Sequence, residues 1–247
     1  MNPFSLKGKT LLVTGASSGI GRAISIACSQ MEACLIITGR NKERLNETFI
    51  NLSGNNHQQF TVDLNDLDSI ADLVNHLPKL DGFVSCAGIV NPLLLQFTDE
   101  KDVTDIMNIN VIAPIHLTRL MVQNKLFNKS ASLVYISSIN GNNCAYIGSS
   151  IYAASKSALS GFSKAIALEL APKGIRVNCI NPGMIKTDLL KSSNIGAADM
   201  DKDMQNYPLK RYGKPEEVAY AVVYLLSDTT TWVTGTNLLI DGGFTLQ

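Results

Sequence analysis

Tyr152 and Lys156 stand four residues apart in the run Tyr152-Ala153-Ala154-Ser155-Lys156, and Ser138 precedes the tyrosine by 14 positions. In a helix, side chains at i and i+4 lie one turn apart on the same face, so the phenol and the amine can act as a unit. Reduction of a carbonyl by a hydride donor leaves an alkoxide that needs a proton, and a phenol is a suitable acid where its anion is stabilised. A neighbouring ammonium stabilises tyrosinate, and a hydroxyl held in place steadies charge developing on the substrate oxygen. Alone, such a short pattern arises readily by chance and describes an exposed helix pair. The rest of the chain changes that reading.

A second chemical signal is Thr14-Gly15-Ala16-Ser17-Ser18-Gly19-Ile20-Gly21, directly after an apolar run. Glycines let the backbone turn tightly and approach a pyrophosphate, and a helix N-terminus offers unpaired N–H groups with positive dipole character. The spacing is GxxxGxG, not the GxGxxG of the common dinucleotide fingerprint. The end of the next apolar run is where adenosine ribose hydroxyls are read, and an acidic residue there favours NAD. This chain has Gly39-Arg40 instead. Arginine pairs a 2′-phosphate in a bidentate way, so NADP(H) is the expected cofactor. The plain alternative is that Arg40 is a solvated residue ahead of a helix.

These groups need a scaffold. Apolar runs of strand length alternate with longer segments of helical period, the pattern of βαβ units and a parallel sheet. Strands are read at Thr10–Thr14, Leu35–Thr38, Gln59–Val62 and Gly82–Ser85. Between them lie helices from about Gly19 to Met31, from the N-cap Asn41 through Leu52, and from Asp66 to Leu77. One long helix is expected from about Thr98 to Phe127, bent at Pro114 or fitting it into an irregular turn. A strand at Ser132–Ser137, a helix near Ser150–Leu170 and a strand at Arg176–Ile180 stopped by Pro182-Gly183 come next. An amphipathic helix at Glu216–Leu226 and a strand at Asn237–Ile240 complete the series. From about 184 to 213 the chain is weakly periodic, far longer than the usual connection of about 4–6 residues, and reads as a substrate lid. With no repeat or linker, one domain over 1–247 is expected.

Composition narrows the class of function. Of 247 residues, 45% are hydrophobic and 17% charged, enough to bury a substantial core. Lys+Arg and Asp+Glu are both 21, which gives no long-range pull toward nucleic acid or an anionic membrane. The opening residues Met1–Lys9 lack the apolar core of a signal peptide, and no stretch is apolar enough to span a bilayer, so a soluble, cytoplasmic protein is expected. Cys28, Cys34, Cys86, Cys144 and Cys179 are scattered and form no CxxC pair, which argues against a disulfide framework. They and the distant His57, His76 and His116 also lack the spacing of a metal site.

TGxxxGIG at Thr14–Gly21 resembles the cofactor motif of the short-chain dehydrogenases/reductases, and the resemblance continues almost from end to end. It includes Asp63-Leu64, Ala87-Gly88, Asn110, Ser137-Ser138-Ile139-Asn140-Gly141, the Tyr152–Lys156 run, Asn181–Thr187 and Asp241-Gly242-Gly243. That family implies a Rossmann-like, mostly parallel seven-stranded sheet in order 3-2-1-4-5-6-7 with helices on both faces. It assigns Gly15, Ser17, Ser18, Gly19, Ile20 and Gly21 to the phosphate turn, and Asp63 and Leu64 to the adenine pocket. Ala87 and Gly88 would line the cofactor, and Pro182 and Gly183 would bring backbone to the nicotinamide. Ile185 would offer main-chain groups to its carboxamide and Thr187 a hydroxyl. Tyr152 and Lys156 would serve both proton transfer and cofactor binding, Ser138 would hold the substrate oxygen, and Asn110 would position a water linking the lysine to solvent. Ser137 competes for the serine role, but the family's SSxxG pattern places the catalytic hydroxyl second.

Two departures stand out. The segment from Ser138 to Tyr152 is one residue longer than the commonest family spacing, and the family's NNAG reads Ser85-Cys86-Ala87-Gly88. The similarity to β-ketoacyl carrier-protein reductases extends to Pro208–Glu217 and makes a 3-oxoacyl thioester the expected substrate, with a small ketone, sugar or cyclic alcohol as alternative. Lys129 and Lys173 stand near positions where such reductases present basic residues to an acidic carrier, and also read simply as solvated lysines before strands. Leu189, Leu190, Ile195, Met200 and Met204 could give the lid an apolar inner surface. Ala153, Ala154, Ala158 and Ala165, with Leu159, Phe162, Ile166 and Leu168, give the Tyr152 helix more apolar circumference than one sheet contact requires. Together with the resemblance, this implies a homotetramer. The rival from another class is a dinucleotide-binding sensor without turnover, since fold alone does not establish activity. Sugar-nucleotide epimerisation or dehydration is disfavoured because the larger relatives that do it carry a substantial C-terminal region.

Overall fold

The structure, a computed structural model, describes residues 2–187 and 197–246. Seven parallel strands lie in the order β3-β2-β1-β4-β5-β6-β7, as expected from the sequence. They are β1 (Thr10–Val13), β2 (Cys34–Gly39), β3 (Gln58–Thr61), β4 (Leu80–Ser85), β5 (Phe127–Ile136), β6 (Arg176–Pro182) and β7 (Asn237–Ile240). Alternation along each central strand divides the core. Leu11, Val13, Leu35, Ile37, Val84, Val134 and Ile180 face one layer; Leu12, Ile36, Phe83, Leu133, Tyr135 and Cys179 face the other. Helices α1 (Gly19–Gln30) and α8 (Pro215–Leu226) cover the first face. On the second lie α3 (Leu67–Asn75), α5 (Ala113–Gln123) and α6 (Ser150–Leu170). Among the described residues no helix is long and apolar enough to cross a membrane.

Local chemistry sets several helix starts. Asn41 caps α2 (Lys42–Phe49) by accepting from Arg44 N at 2.8 Å, and the Asp66 side chain accepts from Asp68 N at the head of α3. Asp99 and Asp102 form a reciprocal box at the head of α4 (Glu100–Met107).

The long helix expected at Thr98–Phe127 is instead divided. It becomes α4, a π turn at Asn108–Ile112, and α5, while Phe127 already belongs to β5. Pro114 has no N–H to bring to the carbonyl of Asn110 four residues back, and the turn widens so that Ala113 N reaches Asn108 O. β6 runs through Pro182, where the sequence suggested an earlier stop; an edge-type proline effect is avoided because the residue closes the strand. Within the expected lid, α7 (Ala197–Met204) is helical, and a parallel bridge joins Ile185 to Gly213. Met200 and Met204 are half-buried there, while Leu189, Leu190 and Ile195 lie outside the described residues.

Candidate active site

The strand order reverses between β1 and β4, and in open parallel sheets ligands bind outside the carboxyl ends of the strands at such a point. There the turn Thr14–Gly21 passes close over Cys86-Ala87. Gly15 has φ +69°, and a Cβ on it would lie 2.8 Å from the backbone of Ala87. A Cβ on Gly21 would lie 2.2 Å from the Gly15 carbonyl oxygen, so only glycine permits this closure. α1 starts at Gly19, next to the Thr187 methyl, which a Cβ on Gly19 would approach to 3.3 Å. Ser17 packs against Gly39, so the phosphate turn adjoins the residue before Arg40. Arg40 is exposed and has no ion-pair partner among the described residues. Asp63 is exposed with its carboxylate accepting from Asn65 N at 3.0 Å, and Leu64 beside it is half-buried.

Residues that sequence reasoning gave no role hold this turn. Arg22 donates to Ser17 O at 2.8 Å and to Thr48 Oγ1 at 3.0 Å, and pairs with Glu47 at 2.9 Å. Thr48 in turn donates to Ala16 O at 2.8 Å. Thr14 Oγ1 accepts from Cys86 N and Ala87 N at 3.1 and 3.3 Å, which ties the phosphate turn to the end of β4. That tie explains how Cys86 can stand where the family has asparagine. Burial pushes the Cys86 thiol up to about 12, against the lowering pull of the Lys156 charge, so it stays a neutral thiol.

The catalytic candidates converge on α6. Lys156 is 4% exposed; its ammonium donates to Ile136 O at 3.0 Å and sits 5.7 Å from the centre of the Tyr152 ring. Among the described residues no carboxylate pairs with it. Since an ammonium carries three donors, two remain for a ligand. Asn110 is fully buried in the π turn: its Nδ2 donates to Ile89 O at 2.9 Å and Ser155 Oγ at 3.0 Å, and its Oδ1 accepts from Ile89 N at 2.8 Å. Gly88 lies between the two, since a Cβ on it would be 3.2 Å from both Asn110 Oδ1 and Lys156 Nζ. Ser137 and Ser138 have different surroundings. The buried Ser137 hydroxyl donates to Lys156 O and accepts from Asn142 Nδ2 and Ser160 Oγ, which uses its hydrogen-bonding capacity. Ser138 is half-buried, and its Oγ accepts from Asn140 N at 3.1 Å while its own proton stays available. Tyr152 is likewise half-buried.

After β6, Ile139 N bonds Pro182 O and Gly183 N bonds Ile240 O, drawing the strand end against the Ser138 loop and β7. The bridge to Gly213 uses Met184 O and Lys186 N, which leaves the main-chain groups of Ile185 without a backbone partner among the described residues. Tyr146 from the lengthened loop stacks on Phe244, which also packs on Tyr207 with ring centres 4.8 Å apart. Burial holds the Tyr146 phenol well above the usual tyrosine range and Tyr207 at about 12, so both are neutral wall residues. Beside them is a cavity of about 350 Å³ lined by Asn143, Cys144, Asn206, Phe244 and Thr245. A nicotinamide dinucleotide fits this set: the turn lacks Cβ atoms where backbone must approach phosphate, and Lys156 and Ile185 keep free polar groups farther along.

Fold and site together define a Rossmann-type oxidoreductase. A family profile described as "Enoyl-(Acyl carrier protein) reductase" matches residues 15–245. The 3-oxoacyl-[acyl-carrier-protein] reductase FabG of Rickettsia felis is 34% identical over 238 residues, covering 96% of this chain and 97% of the relative. Carbonyl reductase family member 4 of Xenopus laevis is 34% identical over 245 residues, covering 97% and 99%. A solved short chain dehydrogenase/reductase family protein superimposes with a TM-score of 0.86 at 32% identity, covering 97% of this chain and 99% of its own. The chain belongs to the short-chain dehydrogenase/reductase family of oxidoreductases.

Proposed function

We propose that this chain is a single-domain, NADP(H)-dependent reductase of 3-oxoacyl thioesters. The observation that carries the reading is the buried Lys156 ammonium beside Tyr152, with two protons uncommitted and Asn110 one glycine away. Bound NADPH would supply the hydride for reduction of a carbonyl carbon. Tyr152 gives a proton to the substrate oxygen, Lys156 stabilises the resulting phenolate and holds ribose hydroxyls, and Ser138 donates to the same oxygen. Asn110 fixes the turn through which a water chain refills the proton. Arg40 supports NADP(H) over NAD(H), being exposed and next in sequence to Gly39, which packs on Ser17, with no ion-pair partner among the described residues.

A 3-oxoacyl substrate is supported by the FabG relative. The profile's enoyl description makes reduction of a conjugated thioester the second reading, and the carbonyl reductase relative keeps a simple ketone in view. Lys129 and Lys173, with Lys125, rim an apolar cavity of about 290 Å³ floored by Val122, Phe127, Leu170 and Ile175, a surface suited to an acidic carrier. It lies at the amino ends of β5 and β6, whereas Tyr152 stands in the first turn of α6. The exposed stripe Ala154, Ala158, Gly161, Ala165 and Leu168 along α6 supports helix packing between subunits of a homotetramer. The free thiols accord with a cytoplasmic setting.

The test follows NADPH oxidation with acetoacetyl and crotonyl thioesters, free and carrier-bound, alongside simple ketones and sugars. Preference for the acetoacetyl thioester supports the proposal, and a carrier advantage that shrinks with salt supports docking. Reaction of ketones or sugars alone defeats the thioester reading, and tighter NADH than NADPH binding defeats the cofactor assignment. Tyr152→Phe should retain NADPH binding while losing nearly all turnover.

A further inference from the structure

We propose that Ser155 is a positioning residue for proton delivery: its buried hydroxyl locks Asn110 to the helix that carries Tyr152 and Lys156. This rests on the oxidoreductase reading above and concerns a residue that reading leaves idle.

Ser155 is fully buried between its two neighbours in the site. Its Oγ donates to the Tyr152 carbonyl at 2.7 Å and accepts from Asn110 Nδ2 at 3.0 Å. The donation fixes the hydroxyl rotor, so a lone pair faces the amide. At the other end, Ile89 N–H demands the Asn110 oxygen and Ile89 O demands its NH₂, which sets the amide in one orientation. All the amide's protons are therefore committed to protein, and Asn110 acts by its placement. Among the described residues, the Ser155 contact is the side-chain hydrogen bond joining the π turn to α6.

Placement matters because of Gly88. A Cβ there would be 3.2 Å from both Asn110 Oδ1 and Lys156 Nζ, so the gap beside the ammonium is narrow and its width follows Asn110. Ser163 provides an internal contrast: it is equally buried and makes the same backward bond, to Ser160 O at 2.9 Å, without touching a catalytic group. A helical serine that merely needed to be small would behave like Ser163.

The experiment compares Ser155→Ala, Ser163→Ala, Asn110→Ala and the double variant Ser155→Ala/Asn110→Ala, using NADPH and the carbonyl the native chain reduces. Readouts are kcat against pH, the solvent deuterium isotope effect on kcat, NADPH affinity and Tm. Ser155→Ala should lower kcat about tenfold, displace the pH profile and raise the isotope effect, with NADPH affinity kept within about twofold. Ser163→Ala should move neither profile nor isotope effect. In the Asn110→Ala background, loss of Ser155 should add less than about a factor of two, because residues acting as one unit are not additive. A lower Tm with unchanged pH profile and isotope effect, or a deficit that multiplies that of Asn110→Ala, overturns the proposal. If Ser155→Ala does not fold, Ser155→Cys, similar in size and a weak acceptor, is read against the same outcomes. A native chain inert toward every carbonyl defeats the enzyme reading and takes this proposal with it; an active native chain with a normal Ser155→Ala defeats this proposal alone.

Discussion

The Ser137 hydroxyl donates to the backbone carbonyl of Lys156 at 2.8 Å and so fastens the end of β5 to the middle of α6. It separates the two adjacent serines into a brace and a free hydroxyl. Ser138→Ala is expected to cut kcat by about 10²–10³-fold, the usual loss for one donor to a developing oxyanion, with little change in Tm. Ser137→Ala leaves Asn142 Nδ2 and Ser160 Oγ short of a buried partner, costing about 1–3 kcal/mol of stability. Denaturant unfolding and steady-state kinetics on both variants check the division. Greater loss of kcat in a folded Ser137→Ala would reverse the roles.

Gly88→Ala tests the space between Asn110 and Lys156. Its added methyl would sit 3.2 Å from Asn110 Oδ1 and from Lys156 Nζ, and the flexible ammonium is the group able to move. Lys156 should shift from Ile136 O, weakening NADPH binding and lowering kcat together, while stability falls by only about 1 kcal/mol. NADPH titration and thermal unfolding separate these effects, and unchanged affinity with unchanged kcat would show the gap to be idle.

The legible parts of this molecule are those written in local period. The short apolar runs Leu11–Val13 and Leu35–Ile37 predict strands, and the four-residue spacing of Tyr152 and Lys156 predicts a shared helix face; both hold. Asn41 is recognisable as a cap because its side chain acts three residues away. Ser155, Ser137 and Arg22 escape such reading, since their bonds reach Asn110, Lys156 and Thr48 across 45, 19 and 26 residues. The π turn was hidden for a related reason. Pro114 signals an irregularity, but the local period alone does not distinguish a kink from a widened turn.

Cys86 and Thr14 give a third prediction. The tie between β1 and β4 runs through Thr14 Oγ1 to the N–H groups of Cys86 and Ala87, not through the thiol. Thr14→Val should therefore destabilise by about 1–2 kcal/mol and weaken NADPH binding, whereas Cys86→Ala should do much less to cofactor affinity. With its thiol pushed up to about 12 by burial, Cys86 should also resist alkylation at neutral pH. Isothermal titration and mass-spectrometric mapping of alkylated cysteines read both outcomes; rapid modification of Cys86 in the folded protein would contradict the second.

Glu217 supplies a pH-dependent anchor where the chain enters α8. Its carboxylate accepts from Arg211 at 2.7 and 2.8 Å and from Lys214 N at 2.7 Å. The Arg211 hydrogen bonds first, then that backbone N–H, draw its pKa from 4.5 to about 2. A depressed carboxylate stabilises the fold fully above its unfolded value, and that contribution disappears as pH falls through the folded one. The window is thus from about 4.5 down to about 2. Both partners are substantially exposed, so solvent screening keeps the worth of the pair small. Glu217→Gln should lower Tm near neutral pH at low salt, and its deficit relative to the native chain should narrow through that window and shrink with added salt. A deficit that stayed constant down to pH of about 2 would mean that Glu217 contributes through shape and neutral hydrogen bonds, with its charge doing nothing.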